Sequence, residues 1–202
     1  MNEASAANVR GADVATPWEI EIKLRAADLA AVRRLLKQAG ARFLETVEEL
    51  NEFFDRPEGS LRTADSGLRI RTFRRDGTAT GEALVTWKGP SQPGVIHRRP
   101  SIDLAVRPVN LTAAFLFALG FIRISGFEKR RESWEFNGCR VELDELPCFG
   151  SFVEIEGPDT TTVLKVQAEL GLTDLQSVSQ TYHAMVADHL RASPAPDNTL
   201  RF

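Results

Sequence analysis

Two stretches of the chain carry carboxylates two residues apart in a β-strand pattern. Polar and apolar residues alternate over 18–24, which places Glu19 and Glu21 on one strand face, and the same pattern pairs Glu154 with Glu156. Carboxylates at this spacing bring four oxygens within reach of one hard cation, so the two pairs together could form a metal site. A strand with one solvated face alternates in the same way without any chemistry.

Other segments repeat this spacing, which favours a functional interpretation over a merely solvated face. Basic and acidic residues are sorted onto different segments, whereas an ordinary exposed strand mixes small polar residues with charges. Besides Lys23 on the first segment, the same-face sets are Arg69 with Arg71, Thr86 with Lys88, Arg99 with Ser101 and Asp103, Lys129 with Arg131, and Glu142 with Asp144.

These sorted faces predict a barrel whose interior is charged and whose outside is apolar and covered by amphipathic helices. Buried charges must be paired or bound to a ligand, because their desolvation is otherwise too costly. A polyphosphate with divalent metal ions would satisfy both signs of charge. Arginine and lysine hold phosphate oxygens, and carboxylates hold Mg²⁺ or Mn²⁺.

The elements that must position these residues follow from periodicity and from turn and cap residues. Asp28 is the predicted N-cap of the first helix, which stops at Gly40. Strands are predicted at 17–25, 42–50, 51–55, 67–73, 83–88, 97–106, 121–131, 132–136, 140–146 and 151–156, and helices at 29–39, 111–119, 161–170 and 178–191. The predicted class is therefore α+β.

Composition limits the function classes further. The chain has 202 residues, of which 43% are hydrophobic and 26% charged, as in an ordinary globular domain. A formal net charge of −3 provides no basic field for nucleic acid, and no apolar run is long enough to span a membrane. We expect a disordered leader over 1–15, one domain over 16–192 and a flexible tail over 193–202. With two cysteines and no metal-binding CxxC pattern, the default location is cytoplasmic.

The order and spacing of the charged segments resemble the CYTH, or triphosphate tunnel metalloenzyme, superfamily, which includes class IV adenylyl cyclases and thiamine triphosphatases. The similarity covers about 18–190. The matching segments are Glu19-x-Glu21-x-Lys23, Asn51 to Asp55, Ser66 to Arg71, Thr86-Trp-Lys88, Glu128 to Arg131, Glu142 to Glu145, and Gly150 to Glu156. The resemblance implies an eight-stranded antiparallel barrel, the triphosphate tunnel, with helices packed on its outside.

The resemblance also implies residue roles. The implied metal ligands are Glu19, Glu21, Asp144, Glu154 and Glu156. The implied phosphate-binding residues are Lys23, Arg69, Arg71, Lys88, Arg99, Lys129 and Arg131, and the implied catalytic residues are Glu19, Glu21, Lys23 and Lys88. One departure is visible, since Arg99 is followed by Ser101 and Asp103 where the family often has Arg-x-Glu-x-Glu. We expect this loss of an acid to weaken a second metal position or to change substrate preference.

Three functions are compatible with this pattern. The first is metal-dependent hydrolysis of an organic or inorganic triphosphate such as ATP, thiamine triphosphate or tripolyphosphate. The second is class IV-type cyclisation of ATP to cyclic AMP and pyrophosphate, and the third is a non-catalytic polyphosphate- or nucleotide-binding module. Either a monomer or a homodimer fits the pattern.

Residues outside the motifs receive structural expectations. We expect Tyr182 to pack over the barrel from the last helix, and His183 to be a surface or packing residue. We also expect Glu154→Gln to leave the fold intact and to raise stability without metal, because it removes one of several buried like charges.

Overall fold

The computed structural model describes residues 16–202, so the predicted leader over 1–15 lies outside the described residues. The strands are β1 (Trp18–Arg25), β2 (Arg42–Asp55), β3 (Gly67–Arg75), β4 (Thr78–Lys88), β5 (His97–Val106), β6 (Ile122–Phe136), β7 (Cys139–Leu146), β8 (Gly150–Glu156) and β9 (Thr199–Leu200). The helices are α1 (Leu29–Gln38), α2 (Ser60–Thr63), α3 (Val109–Ala118), α4 (Thr160–Glu169) and α5 (Tyr182–Ala192).

Eight of the strands close into an antiparallel barrel. Their order is β2-β3-β4-β5-β1-β8-β7-β6, and β6 pairs back with β2 to complete the ring. The short β9 adds in parallel to the beginning of β6. Closure removes the exposed strand edges that an open sheet would present. The predicted α+β class and tunnel architecture are confirmed.

Local signals set the ends of several elements as expected. The side chain of Asp28 accepts a hydrogen bond from the backbone N–H of Ala31 at the start of α1. The turn between β6 and β7 is formed by Asn137 and Gly138, both with positive φ, which suits a two-residue hairpin whose twist matches that of its strands.

The two longest strands were each predicted as two segments. Strand β2 runs unbroken over 14 residues and β6 over 15 residues. The adjacent Phe53 and Phe54 interrupt the alternation in β2, and a register shift in the pairing with β6 lies between them. Such an irregularity inserts a residue without ending the strand. At the predicted break after residue 50, Asn51 has a low strand propensity, but it pairs with both β3 and β6, which keeps β2 continuous.

Apolar side chains cover the outside of the barrel, as predicted. Helices α1 and α4 pack on the outer faces of β1, β7 and β8 through a cluster that includes Ile22, Leu36, Val153 and Val163. Helix α3 covers β3 and β4 through Leu116 and its neighbours. The residues that alternate with these on the strands therefore point into the barrel.

Helix α5 closes one end of the barrel. It begins at Tyr182, later than predicted, and it packs in an apolar cluster with Phe53, Phe127 and Phe152, which lie on inward positions of their strands. The tail prediction is wrong for Thr199–Leu200, because these residues form β9 and Leu200 is buried in the same cluster. Between residues 16 and 202, no helix combines the length and the apolar character needed to cross a membrane.

Candidate functional site

The interior of the barrel is lined by charged side chains from every strand. Strand pairing brings residues from distant parts of the sequence side by side, with Lys23 opposite Glu154, Arg131 opposite Asp144, and Lys129 opposite Glu49. Lys23, Lys129 and Asp144 are at most 2% exposed. We refer to this lined space as the tunnel.

The most connected part of the tunnel is centred on Arg131 and Asp144. The Arg131 guanidinium donates to both carboxylate oxygens of Asp144, at 2.7 Å from Nε and 2.6 Å from Nη2. The same Nη2 lies 2.5 Å from Glu154 Oε2, and Lys129 Nζ lies 3.2 Å from Asp144 Oδ2. Although burial opposes the charged form, these carboxylates hold the pKa of Arg131 well above its usual value.

Glu49 is a buried carboxylate that the family motifs did not identify. Its Oε2 lies 3.3 Å from both Arg71 Nε and Lys129 Nζ, and its side chain is 1% exposed. Burial alone would raise the pKa of Glu49, but Arg71, Lys129 and Arg131 outweigh burial and lower it far below the ordinary value. Glu49 therefore remains ionised and fixes the arginines and the lysine around it.

Two lysines, one on β1 and one on β4, are paired with carboxylates on β8 and β1. Lys88 Nζ lies 2.6 Å and 2.7 Å from the two carboxylate oxygens of Glu19, and Lys23 Nζ lies 3.3 Å from Glu154 Oε1. Burial disfavours the charged form of Glu154, yet Lys23 and Arg131 lower its pKa well below the ordinary range. These pairs place both signs of charge along one wall of the tunnel.

Glu21 and Glu156 differ from the other predicted metal ligands because no Lys, Arg or His side chain within the described residues forms an ion pair with either of them. Burial, together with the neighbouring charges of Glu154 and Glu19, raises the pKa of Glu21 to about 8. The carboxylates of β1 and β8 thus exceed the positive charge available close to them. A cation placed among them would relieve this excess.

Arg69 and Arg71 form the complementary basic region. Arg71 Nε donates to Asn51 Oδ1 at 3.1 Å. Arg69 Nη2 donates to the Thr86 hydroxyl at 3.1 Å, and Arg69 Nε is buried without a hydrogen-bond partner in the part of the chain that the structure describes. Burial and the adjacent charge of Arg71 lower the pKa of Arg69 to about 10. A buried donor that lacks an acceptor, beside a second guanidinium, suits an anionic ligand.

The strand with the predicted departure contributes less to this network. The Arg99 guanidinium donates to the backbone carbonyl of Gly89 at 2.9 Å and 2.7 Å and does not reach the carboxylates of the tunnel. Asp103 is solvent-exposed and accepts a 2.6 Å hydrogen bond from Thr86. Ser101 stands opposite Lys88 in the sheet.

Tyr182 reaches from α5 into the closed end of the tunnel. Its hydroxyl donates to Asp144 Oδ2 at 3.0 Å, and Lys23 Nζ lies 4.2 Å from the centre of its ring. A lysine held over the face of an aromatic ring is stabilised by a cation–π interaction. The first residue of α5 therefore belongs to the candidate site.

The predicted metal ligands are close to one another in the tunnel but are not assembled as a ready metal site. Among residues 16–202, no three His, Cys, Asp or Glu side chains converge on a common point. Asp144 and Glu154 contact Arg131, and Glu19 contacts Lys88. Glu156 lies at the solvent-exposed end of β8, opposite Glu21 in the sheet. All these side chains offer carboxylate oxygens, which suit Mg²⁺ and Mn²⁺.

A protein-family model matches the part of the chain that forms the barrel. The CYTH domain model matches residues 18–182, which is most of the chain. The chain belongs to the CYTH domain family. The resemblance predicted from the charged segments is therefore confirmed, and the match spans every barrel strand from β1 to β8.

Several proteins are similar to this CYTH chain. Adenylate cyclase CyaB of Aeromonas hydrophila is 26% identical over 183 residues, which cover 86% of this chain and 91% of that protein. Protein MJ0240 of Methanocaldococcus jannaschii, named as a candidate adenylate cyclase, is 26% identical over 138 residues, covering 68% and 75% of the two chains. The structure of HpAC1 from Hippeastrum, named as a candidate adenylyl cyclase with a dominant triphosphatase activity, superposes with a TM-score of 0.68 at 21% identity. It covers 85% of this chain and 96% of that one.

Proposed function

We propose that this chain binds a triphosphate inside the tunnel and hydrolyses it with the help of a divalent metal ion. The observation that carries the proposal is the buried Arg69 guanidinium, which lacks one hydrogen-bond acceptor and lies beside Arg71. A terminal phosphate group offers several anionic oxygens to such a pair of guanidinium groups. Lys88, on the neighbouring strand β4, extends this basic surface towards Glu19.

The ion pairs of the tunnel are the groups that a triphosphate would engage. Lys88 and Lys23 are each held by one carboxylate, and Arg131 by several. Phosphate oxygens can replace carboxylates as acceptors for these cations, because both are anionic oxygen groups. The tunnel is therefore preorganised to accept a polyanion without bringing new basic groups into place.

The carboxylates of β1 and β8, two of which lose a lysine partner in this exchange, fit the coordination of a divalent cation. Glu19, Glu21, Glu154 and Glu156 would hold Mg²⁺ or Mn²⁺, with Asp144 as the remaining predicted ligand. When bound, such an ion neutralises charge that develops on the phosphate oxygens. Glu21 supports this assignment. Burial and the negative charges of Glu154 and Glu19 raise its pKa, and a bound cation would offset that excess of negative charge.

The residues of the chain itself have three tasks in this proposal. Arg69, Arg71 and Lys88 hold the phosphate groups in line, while Lys129 and Arg131 stabilise charge deeper in the tunnel. Helix α5 closes one end of the barrel with apolar side chains and so limits access of bulk water from that side. Substrate and the attacking water would enter from the opposite end.

Adenylyl cyclase activity is the second candidate, and the names of the two sequence relatives favour it. Cyclisation would use the same phosphate-binding surface, with the ribose 3′-hydroxyl attacking the α-phosphorus and pyrophosphate leaving. We favour hydrolysis over cyclisation because the basic and acidic groups of the tunnel would contact only the triphosphate part of a substrate. A non-catalytic binding module is the third alternative.

Product analysis separates these functions. Purified protein is incubated with ATP, thiamine triphosphate or tripolyphosphate and either Mg²⁺ or Mn²⁺, and orthophosphate, pyrophosphate and cyclic AMP are quantified. Orthophosphate release that Glu154→Gln abolishes supports the proposal, whereas cyclic AMP with pyrophosphate would favour the cyclase. Binding of a triphosphate without turnover would favour the binding module.

A matched control is available on the neighbouring strand. Glu145 follows Asp144 on β7 but faces the outside of the barrel, where it is exposed and 3.6 Å from Arg130. Glu145→Gln therefore removes the same charge without touching the tunnel. Equal loss of activity in both variants would contradict the assignment of Glu154 to the site.

A further inference from the structure

Glu49 is a carboxylate in the basic half of the tunnel, away from the predicted metal ligands. It lies on an inward position of β2, between β3 with Arg71 and β6 with Lys129. In the closed ring of eight strands, β2 is four strands away from β1 in either direction, so it stands across the barrel from Glu19 and Glu21. A metal ion held by the acids of β1 and β8 would therefore not draw Glu49 away from its present neighbours.

The Glu49 carboxylate fills the gap between two cations. Its Oε2 lies 3.3 Å from both Arg71 Nε and Lys129 Nζ, and the same oxygen accepts a 3.3 Å hydrogen bond from Asn51 Nδ2. Its Oε1 lies 3.9 Å from Arg131 Nε. A phosphate group would supply the same kind of anionic oxygen at this point. Glu49 thus occupies a position that a phosphate group could otherwise take.

Glu49 differs from the tunnel acids that could exchange their partners. Glu19 and Glu154 each hold a lysine, and a bound metal ion would replace that lysine as their partner. Glu49 has only basic and amide partners among the described residues, and its side chain is 1% exposed. Moving it away from them would leave a buried charge unpaired, which is strongly unfavourable. We therefore expect Glu49 to keep its position when a ligand binds.

The basic groups that remain available to phosphate lie on one side of Glu49. Asn51 Oδ1 and Glu49 hold the Nε edge of Arg71, and the two Nη nitrogens of Arg71 donate no hydrogen bond within residues 16–202. Arg69 Nε, on the same strand, also lacks an acceptor there. Lys88 follows on β4, beside the start of β3. The phosphate-accepting surface therefore runs from Arg71 through Arg69 to Lys88, and Glu49 marks its end.

We propose that Glu49 determines how many phosphate groups the tunnel accepts. Its carboxylate closes the gap between Arg71 and Lys129 and repels an anion that extends past Arg71 on this side. The inference rests on the proposed binding of a triphosphate and names the residue that limits the length of its phosphate chain. Neutralising Glu49 would open the gap between Arg71 and Lys129 to one more phosphate group.

Glu49→Gln tests this role, because it keeps the shape and one oxygen acceptor but removes the charge. Calorimetry measures the binding of pyrophosphate, tripolyphosphate and tetrapolyphosphate with Ca²⁺ as the cation, while orthophosphate release is followed to verify that the ligands stay intact. We expect the wild type to bind tetrapolyphosphate and tripolyphosphate with affinities within about twofold of each other. Glu49→Gln should bind tetrapolyphosphate about tenfold more tightly than the wild type does, and tripolyphosphate with a smaller gain.

A second measurement covers the loss of stability that Glu49→Gln is expected to cause. The variant leaves Arg71 and Lys129 with fewer counter-charges, so the free protein should unfold more easily. Ligand binding to the folded state raises the melting temperature according to affinity. The rise produced by tetrapolyphosphate should therefore be larger in Glu49→Gln than in the wild type, and a variant that is unfolded alone should fold when this ligand is added. Failure of the ligand to induce folding would count against the inference.

Glu48→Gln is the matched control, because this neighbouring acid of β2 is exposed outside the barrel and lies 3.9 Å from Arg130. Glu49→Asp keeps the charge and should keep the preference of the wild type. Unchanged or weaker binding of all three ligands by Glu49→Gln would overturn the inference and leave Glu49 with a structural role. Binding of tetrapolyphosphate by the wild type more than about twofold tighter than tripolyphosphate would also overturn it. Failure of the wild type to bind any of the three would instead refute the proposed function on which the inference rests.

Discussion

The hydroxyl of Tyr182 donates a 3.0 Å hydrogen bond to Asp144 Oδ2, an oxygen that also accepts from Lys129 and Arg131. The first residue of α5 is thereby joined to the most connected ion pair of the tunnel. Because the same ring lies against Lys23, the helix that closes the barrel and the charged wall stabilise each other.

Tyr182→Phe should reveal how much this hydrogen bond contributes. The ring and its contact with Lys23 remain, while Asp144 loses one donor and retains two cations. Hydrogen bonds to charged groups contribute about 1.5–3 kcal/mol, so we expect the free energy of unfolding in urea to fall by that order. Unchanged stability would mean that water replaces the hydroxyl at no cost.

Removal of two acids from the tunnel should change stability in opposite directions. Glu154→Gln leaves the Lys23 ammonium, which is 2% exposed, without its carboxylate partner. Breaking a buried pair in this way costs about 3–5 kcal/mol. This outcome reverses the expectation from sequence that loss of Glu154 would stabilise the metal-free protein, because Glu154 is paired with cations instead of being crowded by acids.

Glu21→Gln is the matched comparison. Glu21 has no basic ion-pair partner within the described residues, and burial and neighbouring acids disfavour its ionised form. Its neutral amide isostere should raise the stability of the metal-free protein by on the order of 1–3 kcal/mol. Thermal unfolding of both variants in chelator-treated buffer measures the contrast. Destabilisation by Glu21→Gln would show that an unrecognised partner holds this carboxylate.

Much of this site follows from the local period of the strands. Alternation alone placed Lys23 and Glu154 inside the barrel, since successive side chains of a strand point to opposite faces. Glu49 was not predicted, because the same segment also contains Glu45 and Glu48. Only the pairing of β2 with β3 and β6 determines that Glu49 is the acid that contacts Arg71 and Lys129. Such a choice depends on contacts between residues distant in sequence.

The closure of the barrel end by α5 and β9 could not be predicted from local sequence patterns either. Tyr182 and Leu200 reach the tunnel end through the docking of α5 and β9, and neither segment carries a pattern that reports where it will dock. Asp55, which lies in one of the family-like segments, instead accepts hydrogen bonds from the backbone N–H groups of Leu61 and Arg62 at the start of α2. Its role is structural, as a side-chain cap for a short helix.

His183 should make stability depend on pH in the acid range. Its ring stacks on Phe53 at 3.9 Å between centres, and burial, with the nearby charge of Arg69, lowers its pKa from 6.5 to about 4. The unfolded chain then binds a proton more readily than the folded one. Stability is therefore unaffected by this group above pH 6.5 and falls as the pH decreases from 6.5 towards 4, by on the order of 2–3 kcal/mol.

Denaturation curves between these pH values check this prediction in the wild type and in His183→Gln. The variant should lose stability less steeply as the pH falls through this range, even if its stability at neutral pH is lower. His189, at the other end of α5, provides the control through His189→Gln. Parallel pH profiles for the wild type and His183→Gln would show that other groups determine the acid response.

Substitution of Arg69 should raise the stability of the free protein and weaken its affinity for a triphosphate. Its guanidinium is buried, has one donor without an acceptor and lies beside Arg71, all of which oppose its charge in the free protein. Arg69→Gln is therefore expected to raise the free energy of unfolding by about 1–3 kcal/mol and to weaken triphosphate binding about tenfold or more. Arg130→Gln removes an exposed arginine from the outer face of β6 and should change neither quantity by a comparable amount.

Calorimetric titration with tripolyphosphate, together with urea denaturation of the free proteins, measures both effects. Loss of stability in Arg69→Gln with unchanged affinity would mean that the guanidinium supports the barrel and does not serve the ligand.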